Sequence, residues 1–182
     1  ITAAGKPTAF APPAMAGWPK LGGPEAMLRR QDGSFLVFAE RARTGGSRAP
    51  LLHFDRDPAD PEARVTAMAY DAPAEYHPVD AAMLPDGRML VVNRRHAFPL
   101  NFSAIVTLVD PFAIRPGAIV RGRPVILLAP PQIADNFEGI AVETRGARTI
   151  IWLLSDNNFL PQQRTWLLEF ELAPARSGSG VR

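Results

Sequence analysis

The chain repeats one pattern three times, and this repeat limits its fold more than any other feature. Each copy has an acidic residue, a short apolar segment, a turn and a second apolar segment, and the copies lie at residues 25–40, 80–95 and 138–158. The acids that open them, Glu25, Asp80 and Glu138, are 55 and 58 residues apart. The blades of β-propellers repeat every roughly 40–50 residues, and slightly longer loops account for the difference. The repeat therefore predicts three structural units of one kind.

The turn inside each copy carries residues that favour a tight β-hairpin. The first two copies contain Asp32-Gly33 and Asp86-Gly87, a residue pair that tolerates the positive φ angles of a short hairpin turn. The third copy has a longer turn that includes Gly146. Each copy is therefore predicted to begin with an antiparallel hairpin.

Further apolar segments follow the hairpins and complete a four-stranded unit. These predicted strands cover residues 50–55 and 64–70 in the first unit, 103–109 and 124–128 in the second, and 164–172 in the third. The predicted fold is all-β, a partial β-propeller of about three four-stranded blades. The third blade lacks one outer strand, which the segment around Thr8-Ala9-Phe10 is expected to supply. The alternative is a twisted β-sandwich in which the regular spacing is accidental.

Three blades cannot close a ring, since closed propellers usually have four to eight. Additional blades or a second copy of the chain are therefore expected as partners, and blades before Ile1 are favoured. The chain starts without methionine, as a processed or truncated product does. The predicted propeller blades span residues 23–173, with an N-terminal extension at 1–22 and a flexible tail at 174–182.

Composition argues against several classes of function. Apolar residues make up 47% and charged residues 21% of the 182 residues, which is close to the average of folded proteins. The net charge is only +2 and the arginines are scattered, so no nucleic-acid partner is expected. Cysteine is absent, which removes disulfides and thiolate chemistry. No apolar run approaches the roughly 18 residues of a membrane span, so no membrane partner is expected.

A second kind of signal comes from short motifs. Residues 136–142, 151–159 and 163–172 read NFEGIAV, IWLLSDNNF and QRTWLLEFEL, and further motifs lie at 23–26, 77–80, 84–90, 93–95 and 101–104. Together they resemble the C-terminal part of the phytase-like domain family (esterase-like activity of phytase), over about Gly23 to Leu172. The chain departs from that pattern at Asn93, where a glutamate is expected before the double arginine.

The resemblance implies a periplasmic or secreted propeller that hydrolyses phosphate or carboxylic esters, with calcium as its cofactor. The acidic residues of the repeats are also compatible with a metal-assisted ester hydrolase. Inner strands of a propeller begin near its channel, so Glu25, Asp80 and Glu138 are expected to converge there. Converging carboxylates repel one another and need a cation or basic partners.

Calcium takes six to eight oxygen ligands and is expected on Glu25, Asp80, Glu138 and Asp156. Further oxygen donors near the ends of the second strands are Glu40, Asn93, Asn157 and Asn158. The alternative is that each acid caps a turn or pairs with an arginine of another blade.

Glu138 and Asp156 are the predicted catalytic residues of a metal-assisted ester hydrolase working at the channel. A guanidinium fork matches the oxygens of an anionic ester. The predicted substrate-binding residues are Arg94, Arg95, Arg164, Asn157 and Asn158. The competing hypothesis is a non-catalytic binding module, because a propeller fold does not establish an activity.

Other candidates for catalysis are weaker. Ser155 lies beside Asp156, but no Gly-x-Ser-x-Gly elbow is present. His77 precedes Pro78 and is predicted in a turn, whereas His53 is predicted to pack within a strand. The tryptophans are assigned to packing between blades; they are Trp18, Trp152 and Trp166.

Overall fold

The computed structural model describes residues 9–41, 48–97 and 101–173, and their regular structure is almost entirely β. Two 3₁₀ helices of three residues each, Pro13–Met15 and Pro111–Ala113, are the described helices, and neither is long or apolar enough to cross a membrane. The strands are β1 (Pro24–Arg29), β2 (Phe35–Ala39), β3 (Ala49–Phe54), β4 (Val65–Tyr70), β5 (His77–Met83), β6 (Met89–Ala97), β7 (Asn101–Val109), β8 (Ile119–Val120), β9 (Arg123–Leu128), β10 (Phe137–Arg145), β11 (Arg148–Ser155) and β12 (Leu167–Leu172).

These strands form three sheets that follow the repeat of the sequence. The first sheet has the order β1-β2-β3-β4-β8, the second β5-β6-β7-β9 and the third β10-β11-β12. The all-β class and the three repeated units are confirmed, and a two-layer β-sandwich would have two sheets. The sheets have five, four and three strands and none is closed, so their arrangement as blades of a partial propeller stays a prediction.

The three predicted hairpins are present, and glycine sits at each turn for a backbone reason. Gly33 and Gly87 have φ angles of 86° and 85°, which L residues with a side chain rarely adopt. The aspartate before each glycine fixes the turn, since Asp32 Oδ1 accepts a hydrogen bond from the Ser34 amide and Asp86 Oδ1 accepts one from the Arg88 amide. The Asp-Gly pairs therefore set the register of the hairpins β1-β2 and β5-β6.

The first sheet has a fifth strand that the repeat does not predict. After β7 the chain leaves the second sheet, and β8 pairs parallel with β4 at the edge of the first sheet. The Ala69 amide donates to the Ala118 carbonyl at 3.1 Å and the Asp71 amide to the Val120 carbonyl at 2.9 Å. A strand of two residues has too short a hydrophobic pattern to be recognised in a sequence.

The N-terminal extension packs against the first sheet. Ala9 and Phe10 lie outside any strand, and Thr8 and the predicted tail at 174–182 fall outside the described residues. Met15 and Trp18 cover a small cluster made by Val37, Leu52 and Phe54. The described part of this segment therefore does not add the outer strand expected in the third sheet.

Two larger apolar cores join the sheets. The core between the first and second sheets includes Phe38, Leu51 and Tyr70. The core between the second and third sheets includes Leu90, Val106 and Phe137, and Trp166 packs against it. β5 lies centrally, because it contacts β1 on one side and β10 on the other. The first strands of the three units thus lie next to one another.

Candidate functional site

The three sheets place equivalent residues at one common end, where each first strand begins and each second strand ends. This polar end is defined by three cross-strand positions, Gly23 opposite Glu40, His77 opposite Arg94, and Asn136 opposite Asp156. The backbone pairing is direct: the Glu40 amide donates to the Gly23 carbonyl and the Asp156 amide to the Asn136 carbonyl, both at 2.9 Å, and His77 and Arg94 are register partners.

Each first strand carries a register shift just inside this end. The shifts fall between Pro24 and Ala26, between Pro78 and Asp80, and between Phe137 and Gly139. The residue left unpaired is therefore Glu25, Val79 or Glu138. A one-residue difference in register turns a side chain to the other face of a sheet. Val79, and not Asp80, is equivalent to the two glutamates, so the predicted equivalence of the three acids is wrong by one residue in the second sheet.

Asp80 has a structural task at this position. Its Oδ2 accepts a hydrogen bond from the Ile140 amide at 2.7 Å, and its Oδ1 accepts one from the Ala81 amide at 2.8 Å. Burial raises the pKa of the Asp80 carboxyl above its ordinary value, against the effect of these two hydrogen bonds. Asp80 therefore ties the second sheet to the third through the backbone of β10.

Arg94 is the centre of the polar end. Its Nη2 donates to Glu40 Oε1 at 3.0 Å and its Nη1 to Asn136 Oδ1 at 2.6 Å. Nη1 also donates to Glu138 Oε1. The Arg94 and Glu40 side chains are only 19% and 10% exposed, and that of Glu138 is 37% exposed. The guanidinium of Arg94, in the second sheet, therefore contacts side chains at the ends of both the first and the third sheets.

Glu25 lies close enough to Glu40, Arg94 and Glu138 for their charges to affect its pKa. Burial raises the pKa of its carboxyl, and the charges of Glu40 and Glu138 act in the same direction, whereas Arg94 lowers it. Two of the three acids that were expected to converge therefore do lie near one another, with Arg94 as their basic partner.

The expected calcium ligands do not form one ligand set. Among the residues that the structure describes, no group of three or more histidine, cysteine, aspartate or glutamate side chains could hold a metal ion. The Asp80 oxygens already accept two backbone hydrogen bonds, and Glu138 is bonded to Arg94. The carboxylates of Glu25, Asp80, Glu138 and Asp156 therefore do not converge on one point in this structure, as the carboxylate ligands of a single calcium ion would.

The other predicted residues are spread over the third sheet and its loops. Asp156 Oδ1 accepts from the Asn158 amide at 3.0 Å, and Asn157 Oδ1 accepts from the Phe159 amide at 3.0 Å, so both side chains cap the turn that they belong to. The Asn158 side chain donates to Gln163 Oε1 at 3.1 Å. The Arg164 guanidinium lies over the Trp166 ring. These contacts organise the loop between β11 and β12.

Three further residues considered from the sequence, Arg95, Asn93 and Ser155, do not contribute to the Arg94 cluster. Arg95, the neighbour of Arg94 on the strand, points to the other face of the sheet and pairs with Glu75 at 3.2 Å. Asn93 is fully buried, where its Nδ2 donates to Thr107 Oγ1 at 3.1 Å. Ser155 is also buried, since its hydroxyl donates to the Arg164 carbonyl and accepts from the Trp166 amide, both at 2.8 Å. Asn93 is thus not an open oxygen donor and Ser155 is not an open nucleophile.

A cleft opens beside the polar end, between the first and second sheets. It consists of two cavities of about 640 Å³ and about 280 Å³ that share the lining residues Glu40, Arg41, Glu75 and His77. Arg94 and Asn158 line the smaller cavity, and Arg48 and Arg121 line the larger one. We call this the His77 cleft. Of the predicted site residues, Arg94 and Asn158 line the His77 cleft, and seven do not: Glu25, Asp80, Arg95, Glu138, Asp156, Asn157 and Arg164.

His77 is the residue with acid–base chemistry that the sequence did not reveal. It is the first residue of β5 and half-buried, so the predicted turn at this position is wrong. Burial lowers its pKa below the ordinary value, with Arg41 acting in the same direction and Glu40 opposing them. The signal that identifies His77 is its register position, because it occupies in the second sheet the place that Asn136 occupies in the third.

Trp152, also assigned to packing between blades, lies elsewhere. It is half-buried on the face of β11 that points away from the second sheet, and its Nε1 donates to Glu143 Oε2 at 3.0 Å. Trp166 packs against the core between the second and third sheets, as predicted, whereas Trp18 packs against a cluster of the first sheet alone.

Comparison with known families supports the resemblance seen in the motifs. A family model described as "Phytase-like: Esterase-like activity of phytase" matches residues 2–159. No curated protein and no solved structure matches the chain. The family match includes the residues before Gly23 and ends before β12. It covers most of the 182 residues and contains the whole polar end and β5 with His77. The chain therefore belongs to the phytase-like family.

Proposed function

We propose that the protein hydrolyses phosphate or carboxylic esters in the His77 cleft, with His77 as the general base. The observation that carries this proposal is the half-buried imidazole at the junction of two cavities. Burial lowers the pKa of His77, so the ring is neutral near pH 7 and can accept a proton. Membership of the phytase-like family supports an esterase-like role in general terms.

In the proposed reaction His77 takes a proton from a water molecule as the water oxygen bonds to the carbonyl carbon or the phosphorus of the ester. The bond between that atom and the alcohol oxygen then breaks, and the alcohol leaves with the proton that His77 carries. Proton transfer of this kind contributes typically 10²–10⁴-fold to a rate.

Arg41 is the group best placed to bind the oxygens of the ester. It lines both cavities, its side chain is 58% exposed, and its Nε lies 3.8 Å from Glu40 Oε2, a loose contact. Arg94 is bonded to Glu40, Asn136 and Glu138, and it serves to hold Glu40 beside His77. In this proposal Glu138 and Asp156 shape the polar end and do not touch the ester.

The test is hydrolysis of para-nitrophenyl butyrate and para-nitrophenyl phosphate by the whole chain. We expect kcat/KM to fall as the pH drops below about 6.5, because a protonated His77 cannot act as a base. His77→Gln is expected to lower kcat about 10²–10⁴-fold.

His53→Gln is the matched control. His53 also has a pKa lowered by burial, but it lies in β3 and lines a different cavity. We expect its activity to equal that of the wild type. Equal activity of His77→Gln and His53→Gln would contradict a catalytic role of His77, and no turnover of either ester would contradict the proposed function.

A non-catalytic binding module is the second candidate, and one observation favours it. The polar groups at or near the polar end are bonded to one another or to the backbone, as Asp80 and Arg94 of the second sheet and Asp156 after β11 of the third show. A binding module would hold an ester in the His77 cleft without turnover. Calorimetry with the same esters, or with their non-hydrolysable ethers, separates binding from hydrolysis. The periplasmic or secreted location stays a prediction that cell fractionation tests.

A further inference from the structure

Arg94 joins three sheets with one side chain. Glu40 directly follows β2 of the first sheet, Arg94 belongs to β6 of the second, and Asn136 and Glu138 lie at the start of β10 in the third. Each of these three partners has an oxygen within hydrogen-bonding range of an Arg94 Nη atom. No other described side chain hydrogen-bonds to side chains at the ends of both neighbouring sheets.

The oxygens around Arg94 are of the kind that a divalent cation also prefers. Two carboxylates and one amide oxygen converge, and Glu25 adds a further negative charge nearby. A planar guanidinium offers five donors in a fixed fork and satisfies such oxygens directionally. A calcium ion at the same oxygens would need ligand distances of about 2.3–2.6 Å and would displace or repel the guanidinium.

We propose that Arg94 is the built-in cation of the polar end, so that this end is held together by a guanidinium and does not require a divalent metal. The charged groups that surround it are Glu25, Glu40 and Glu138, with Arg41 on the cleft side, where the titratable His77 also lies. The proposal concerns assembly of the fold and does not depend on ester hydrolysis.

The first experiment is thermal unfolding of the whole chain with millimolar calcium chloride or with EDTA. We expect the two midpoints to agree within about 1 °C, because no metal site needs to be filled. A midpoint that rises with calcium until it saturates, by more than about 3 °C, would overturn the proposal, since RT ln(1 + [L]/Kd) of stabilisation requires a bound ion.

The second experiment compares Arg94→Met with Arg95→Met in the same unfolding assay. Removing one partner of a largely buried ion pair leaves the other charges uncompensated, so Arg94→Met is expected to lower the midpoint by about 5–10 °C. Arg95 makes an exposed pair with Glu75, with side chains 41% and 72% exposed, and Arg95→Met should change the midpoint by less than about 2 °C.

A double variant separates charge from packing. If Arg94 acts as a cation, Glu138→Gln should raise the midpoint in the Arg94→Met background and lower it in the wild type. Loss of packing alone would make the two changes add, and additive losses would overturn the proposal. If Arg94→Met does not fold, Arg94→Lys replaces it: this variant keeps the charge and must fold, with a midpoint nearer to the wild type.

Discussion

The second and third sheets share one strand plan and differ in what covers them. By register, Val92 and Val106 of the second sheet correspond to Leu154 and Leu167 of the third. The two valines are fully buried, whereas the two leucines are 47% and 62% exposed. Among the residues that the structure describes, the second sheet has a core on each face, and the third has one only toward the second sheet. A neighbouring sheet, and not the strand itself, therefore decides whether these positions are core.

The open face of the third sheet is apolar at one end and charged at the other. Leu154 and Leu167 lie near the polar end, and ion pairs lie toward the turn, where Arg145 contacts Glu169 at 3.4 Å and Arg148 contacts Glu171 at 3.2 Å. Exposed ion pairs of this kind contribute little to stability. Additional blades or a second copy of the chain, the expected partners, would cover the apolar end, and this remains a prediction.

The largest difference between the two sheets is expected in their apolar side chains. Leu90 is fully buried in the core between the second and third sheets. Leu90→Ala should lower the free energy of unfolding by about 2–5 kcal/mol, since it leaves a cavity. Leu154→Ala should cost less than about 1 kcal/mol, because half of that side chain already meets solvent. Urea denaturation of both variants measures the difference.

If Leu154→Ala lowered the free energy of unfolding by more than about 2 kcal/mol, the proposed difference between the second and third sheets would be contradicted. It would show that a second molecule covers the third sheet in solution, which light scattering at the same protein concentration then checks. Equal small losses in both variants would contradict the core assigned to the second sheet.

Much of the fold could be predicted because its signals are local. The Asp-Gly turns and the apolar segments around them fix three hairpins, and Met89 to Val92 is continuously apolar as a doubly covered strand requires. β8 could not be predicted, since two residues carry no periodicity and their partner strand lies about 50 residues away in the chain. The covering of the first sheet by Met15 and Trp18 is likewise a tertiary contact without a local pattern.

The next largest difference in stability is expected between variants of Asp80 and Asp156, two acids that the sequence analysis assigned to the same calcium site. Asp80 accepts from the Ile140 amide of the neighbouring sheet, whereas Asp156 is exposed and caps its own turn. Asp80→Ala leaves a buried amide without an acceptor and should cost about 1–3 kcal/mol. Asp156→Ala should cost less than about 1 kcal/mol. Hydrogen exchange at the Ile140 amide gives a local readout.

Faster exchange at Ile140 in Asp80→Ala, with no change there in Asp156→Ala, is the expected pattern. Unchanged exchange in both variants would contradict the bond that links the second and third sheets.

The sequence allowed the grouping of Glu25 and Glu138 at one end of the sheets to be predicted, but not the side chains that they contact. Acids paired with an arginine of another unit were the stated alternative to a metal, and Glu138 with Arg94 is such a pair. Asp80 was wrongly taken as the equivalent of Glu25 and Glu138 because the register shift before it is a feature of the backbone pairing. Matching the acidic residues of the three repeats does not reveal which residue is left unpaired. His77 was missed because its place beside Glu40 depends on how two sheets pack.

The smallest expected difference between the second and third sheets is in how the stability contributed by each depends on pH. His77 lies in the second sheet, whereas β10, β11 and β12 contain no histidine. Burial lowers the pKa of folded His77, so the unfolded chain binds a proton at a higher pH than the folded protein does. The stability that neutral His77 contributes is therefore full above the ordinary pKa of about 6.5 and is lost as the pH falls below it. The contribution of His53 to stability depends on pH in the same direction, because its pKa is also lowered. Glu25 and Asp80 have raised pKa values, so the stability that their protonated forms contribute is lost as the pH rises through the range in which they titrate.

A comparison of His77→Gln with the wild type isolates the contribution of His77. The free energy of unfolding of the variant should fall less than that of the wild type between about pH 7.5 and pH 5.5. NMR spectra over the same range should show shifts at β5 and none at β11 or β12, and a His77 ring that titrates above about 6.5 would contradict both the burial of this residue and its proposed role as a base.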